Sequence, residues 1–112
     1  MKTKDKQVLV HINDYCEKIA ASVNRFGNDY DTFLSDNDFS DSVSMKIQQI
    51  GELAKLLSDE FIQETITEMP WNEIKGMRNF FAHEYAEMDQ QQIWNTAVVD
   101  IPALQEFCRK YL

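Results

Sequence analysis

Apolar residues recur at steps of three and four through most of this 112-residue chain. That spacing lays a stripe along one face of a helix. Val8, Ile12, Tyr15, Cys16, Ile19, Val23 and Phe26 form the first stripe, and Gly27 predicts its end. Residues 28–38 read as a polar, aspartate-rich connector in which Tyr30, Phe33 and Leu34 pack through a short helical turn. Val43, Ile47, Ile50, Ala54, Leu57 and Phe61 predict a second long helix. Its stripe is strict enough to be a packing seam, inside the fold or between protomers. Residues 60–67 continue as a short helix or an irregular turn that ends before Pro70. Proline suits the first turn of a helix, so Pro70 and Trp71 open the next one. Asp89, with Gln92 three residues on, predicts the cap of a last helix bearing Ile93, Ala97, Ile101, Leu104, Cys108 and Tyr111. Pro102 should bend or interrupt that helix.

No stretch alternates as a strand would, and no repeat or low-complexity segment is present. The expected architecture is all-α, a four- to five-helix up-and-down bundle, with residues 1–112 forming a single domain. Hydrophobic content of 44% with only three glycines and two prolines fits a packed helical domain rather than disorder. Apolar runs are too short for a membrane span. The charged start, Met1 to Lys6, has no apolar signal core, so a cytoplasmic protein is expected. Cys16 and Cys108 lie far apart without metal-ligand spacing and read as buried thiols. His11 reads as a packing or surface residue.

Chemistry concentrates in one segment, Arg78-Asn79-Phe80-Phe81-Ala82-His83-Glu84-Tyr85. Arginine grips phosphate oxygens in a planar fork, and histidine suits proton transfer near neutral pH. At about 100° per residue, Ile74, Met77, Phe80 and Phe81 share one side of a helix, with Lys75, Asn79 and His83 on the other. Asn79 and His83, four apart, are neighbours, so Asn79 can orient the imidazole. Tyr85 falls beside Arg78 on the wheel if the helix continues, or beside His83 if it sits in an exit turn; both placements stay open. The same spacing also fits a solvated face in which Arg78 pairs with Glu73 or Glu84. A net charge of -8 works against a protein that coats nucleic acid, whose non-specific binding comes from neutralising phosphates. Any RNA must therefore meet a small focused cationic patch or be brought by a partner, and the acidic surface suits a basic protein.

The string RNFFAHEY resembles the Arg-x4-His-x-Tyr motif of the HEPN superfamily, in particular its HepT-like toxin branch. IGELAKLLSDEF (residues 50–61) resembles that branch's second-helix signature, and MPWNEIKGMRNFFAHEY (residues 69–85) its motif block. Residues 89–104 resemble its closing helix. The likeness covers nearly the whole chain. It is loosest over the N-terminal third, and the acidic charge departs from what an RNase would favour.

The resemblance implies a homodimer whose two motifs face each other across a cleft, and metal-independent RNA cleavage without a cofactor. It implies a type VII-like toxin-antitoxin pair with a minimal nucleotidyltransferase as antitoxin, and neither DNA nor a membrane as partner. Arg78 and His83 would be catalytic, with Asn79 supporting. Tyr85 would accept AMP from the antitoxin, which silences the toxin. Glu52 and Lys75 are further cleft candidates; Glu52 reads equally as a surface charge. The alternative is a non-catalytic substrate-binding or regulatory subunit of the nucleotidyltransferase. A metal-centred bundle enzyme would need paired Glu-x-x-His motifs, which this sequence lacks.

Overall fold

The computed structural model describes the backbone of residues 1–83 and 90–112, and the side chains of residues 1–77 and 90–112. Every regular element among the described residues is helical. In chain order these are α1 (Thr3–Phe26), α2 (Tyr30–Ser35), α3 (Asn37–Ala54), α4 (Asp59–Glu64), α5 (Trp71–His83), α6 (Gln90–Asn95) and α7 (Ile101–Tyr111). A π-helical turn, Thr96–Asp100, joins the last two into one rod. The long helices pack α1 on α3, α3 on α5, and α1 on α7.

The first stripe behaves as expected. Val8, Ile12, Cys16 and Ile19 are buried on α1, and Gly27 ends the helix at a φ of 110° while its N–H reaches the Val23 carbonyl. The aspartates of the connector turn out to be helix caps, because short polar side chains can satisfy the free N–H groups of a first turn. Asp29 Oδ2 accepts from the Thr32 N–H at 3.3 Å and opens α2; Asp36 Oδ1 accepts from the Phe39 N–H at 3.2 Å and opens α3.

The second stripe needs a correction. The helix that carries Val43, Ile47 and Ile50 stops at Ala54 and does not reach Phe61. Tight three-residue bonds follow, Leu56 N–H to the Leu53 carbonyl at 2.9 Å and Leu57 N–H to Ala54 at 3.3 Å. Ser58 then starts α4 as its cap, accepting from the Phe61 N–H at 3.2 Å. Leu57 and Phe61 stay in the core across the break. An apolar stripe records which residues point inward, not whether the backbone between them is continuous.

Pro102 does interrupt the last helix, and the structure shows how. Proline has no N–H to give to the carbonyl four residues back, and its ring crowds that carbonyl. The chain widens instead, and the Ile101 N–H reaches five residues back to the Thr96 carbonyl. Ile93, Ala97, Ile101, Leu104 and Cys108 are all buried along the rod, as the sequence predicts.

Two aromatic clusters hold the helices together. Phe26, Phe33, Phe39 and Trp94 join the end of α1, α2, the start of α3 and α6. Phe61, Trp71, Phe107 and Tyr111 join α4, the start of α5 and the end of α7. Each ring pair adds about 0.5–1.5 kcal/mol beyond the area it buries. No described helix is long and apolar enough to cross a membrane.

Candidate active site

The motif helix is fixed from its first turn. Trp71 is fully buried, so its indole N–H needs an acceptor, and it donates to Thr65 Oγ1 at 2.8 Å. The Thr65 hydroxyl in turn donates to the Phe61 carbonyl at 2.7 Å. The Pro70 carbonyl accepts the first intrahelical bond, from the Ile74 N–H at 3.0 Å. Proline just before the helix therefore opens α5 as the sequence predicts. Ile74 is buried and Met77 packs half-buried against the core, which fixes the rotation of the helix. From that anchored turn the helical backbone runs without a break to His83.

One continuous helix therefore carries positions 78, 79 and 83. The side chains of Arg78, Asn79, Phe80, Phe81 and His83, and all of Tyr85, lie outside the described residues, as does the expected cap Asp89. Two further candidates are described. Lys75 is half-buried on α5 and Glu52 is half-buried on α3. Packing of α3 against α5 sets the helix that bears Glu52 beside the helix that bears the motif.

The segment leading into α5 is tied to the far end of the chain. Glu68 accepts hydrogen bonds from Lys110 Nζ and from the Tyr111 hydroxyl, the latter at 2.8 Å. Those bonds, Lys110 foremost, hold the Glu68 carboxyl below the ordinary carboxylate range. The same carboxylate raises Lys110 and Tyr111. The sequence does not signal this trio, because Glu68 lies forty-odd residues before the adjacent Lys110 and Tyr111 and meets them only once the end of α7 folds back to the segment before α5.

Both cysteines are buried free thiols, as expected. Burial pushes Cys108 up to about 12, and burial together with the nearby Cys108 raises Cys16 as well. Neither is a nucleophile at neutral pH. His11 is exposed on α1.

The family model for the HepT-like ribonucleases matches residues 12–111. The chain belongs to the HepT-like ribonuclease family. Two relatives illustrate the kinship. "Putative RNase TTE0752" of Caldanaerobacter subterraneus subsp. tengcongensis is 33% identical over 112 residues, covering 100% of this chain and 96% of that one. "Probable ribonuclease HepT" of Thermococcus cleftensis is 31% identical over 97 residues, covering 82% of this chain and 87% of that one. No solved structure matches the chain significantly. The likeness to HepT-like proteins noted in residues 50–61 and 69–85 therefore extends to a family match over almost the full length.

Proposed function

We propose that this HepT-like protein is the toxin of a type VII-like toxin-antitoxin pair, a metal-independent RNA endonuclease working as a homodimer. The observation that carries the reading is the family match over residues 12–111 combined with an intact Arg-x4-His-x-Tyr string whose arginine and histidine share the unbroken helix α5. The two copies of Arg78 and His83 line a cleft between protomers. His83 of one copy removes the proton of a ribose 2′-hydroxyl, and that oxygen attacks the adjacent phosphorus. The 5′-oxygen leaves with a proton from the second, protonated imidazole. The products are a 2′,3′-cyclic phosphate and a free 5′-hydroxyl. Arg78 stabilises charge on the phosphoryl oxygens, with Asn79 orienting the imidazole and Lys75 and Glu52 as further cleft residues.

A nucleotidyltransferase antitoxin silences the toxin by adding AMP to Tyr85. The added bulk and negative charge repel RNA from the cleft and occupy Arg78, by the rules that govern phosphorylation.

An RNase assay with divalent metal chelated tests the cleavage. Arg78→Ala should lower the rate roughly a hundredfold or more, the usual cost of removing a donor to a developing oxyanion. His83→Ala should do at least as much, since positioned proton transfer contributes about 10²–10⁴-fold. The parent should show a bell-shaped pH profile, because one imidazole must be neutral and one charged. Equal rates for parent and both variants would remove the mechanism.

A further inference from the structure

Between the first half of α5 and the rod of α6, the π-helical turn and α7 lies an open groove of about 560 Å³. Its apolar lining comes from Ile74 and Met77 on one wall and Ile101, Ala103 and Leu104 on the other. Its described charged lining is acidic. Among the described residues Glu68, Glu73 and Asp100 contribute, and no lysine or arginine does. Glu68 is engaged by Lys110 and Tyr111, whereas Glu73 and Asp100 are exposed and form no ion pair among the described residues.

This chemistry selects an occupant. The Glu73 and Asp100 carboxylates at the rim repel phosphate, which weighs against nucleic acid or a nucleotide there. A second copy seated groove against groove, as a twofold interface requires, would set these carboxylates against their own images. The whole chain also carries -8, which opposes self-association through an acidic face. A cationic partner gains on both counts. The walls are two helices with apolar side chains between them, the shape that receives the apolar face of a third helix. Asp100 and Thr96 both come from the π-helical turn, and such turns recur where a helix serves a functional site.

We propose that this groove docks a cationic amphipathic helix of another protein. Its apolar side chains rest on Ile74, Met77 and Leu104, and its lysines or arginines face Glu73 and Asp100. The groove reaches Met77, the residue before Arg78, so the docked helix lies next to the motif segment in sequence. The proposal rests on the groove alone and holds or fails independently of RNA cleavage.

The test uses the full chain and a short fluorescein-labelled amphipathic peptide, leucines on one face and lysines on the other, read by fluorescence anisotropy. A scrambled peptide of the same composition is the control. Ala103→Arg fills the groove at an exposed helical position that tolerates arginine. Glu73→Lys with Asp100→Lys reverses its charge, and Asp31→Lys with Asp38→Lys makes the same change in net charge away from it. Circular dichroism checks that each variant folds. Both groove variants should weaken binding roughly tenfold or more, about 1.4 kcal/mol. The off-groove pair should weaken it by less than about threefold, and the scrambled peptide should bind more weakly than the ordered one. Equal weakening by the two charge reversals would mean diffuse attraction and overturn the proposal. So would a failure of the parent to bind, or a parent dimer that Ala103→Arg splits, since a second copy would then be the occupant.

Discussion

Asp5 is a carboxylate in the first turn of α1 with only 1% of its surface exposed. Its two oxygens accept from the Ser58 N–H at 2.7 Å and the Ser58 hydroxyl at 2.6 Å. Ser58 meanwhile caps α4, so one buried aspartate joins the beginning of α1 to the beginning of α4. Replacing it with alanine strands a part-buried N–H and loosens the cap. Asp5→Ala should cost about 1–3 kcal/mol, the range for a hydrogen bond to a charged group with its partner left unsatisfied. Urea denaturation checks this, with Asp5→Asn expected to lose less because an acceptor oxygen remains. A neutral Asp5→Ala would show that the link contributes nothing. None of this was legible in the sequence, where Asp5 is one charge in a run of charges. Asp29 and Asp36 teach the same lesson, since composition marks an aspartate-rich connector but only backbone geometry shows which carboxylates cap a helix.

Individual helices were far more legible. The stripes of α1 and the last rod, the stop at Gly27 and the opening at Pro70 all follow from spacing and from the two residues with special backbones. The break after Ala54 was hidden because Leu57 and Phe61 keep facing the core on either side of it. Pro102 signals an interruption, but a widened turn and a kink look alike in sequence, and only the backbone shows that the turn at Thr96–Asp100 widens. Gly27 permits a clean test of helix termination. At a φ of 110° a side chain is strained, yet an added Cβ would meet nothing within 4 Å. Gly27→Ala should therefore destabilise by about 1–2 kcal/mol through the backbone alone. Thermal denaturation measures it; no loss would mean that the turn relaxes to negative φ without cost.

At the scale of the whole molecule, the chain folds to a radius of gyration of 13.9 Å around one apolar core. The motif string was readable because eight adjacent residues carry it, and the family because the likeness runs through residues 50–61, 69–85 and 89–104. The groove beside α5 was not, because Glu73, Asp100 and Ala103 come from separate parts of the chain. The Glu68, Lys110 and Tyr111 tether spans the molecule in the same way and makes stability depend on pH at both ends. A carboxyl whose folded value is lowered contributes fully above the ordinary range, and the contribution is lost as pH falls through the lowered value. Lys110 and Tyr111 are raised, so their contribution is full below their ordinary values and is lost in alkali. The melting-temperature gap between the parent and Glu68→Gln should be widest near neutrality and close in strong acid and strong alkali. It will be small, because these groups lie in solvent. A gap that widens in acid would reverse the assigned sign.

The two indoles belong to different nests, Trp71 between Phe61 and Phe107 at the foot of α5, Trp94 between Phe33 and Phe39. Both are buried, so each emits at the short-wavelength end of the indole range and shifts red when its own nest opens. The protein thus carries two built-in optical gauges, and single-tryptophan versions would report separately on the footing of the motif helix and on the region around α2.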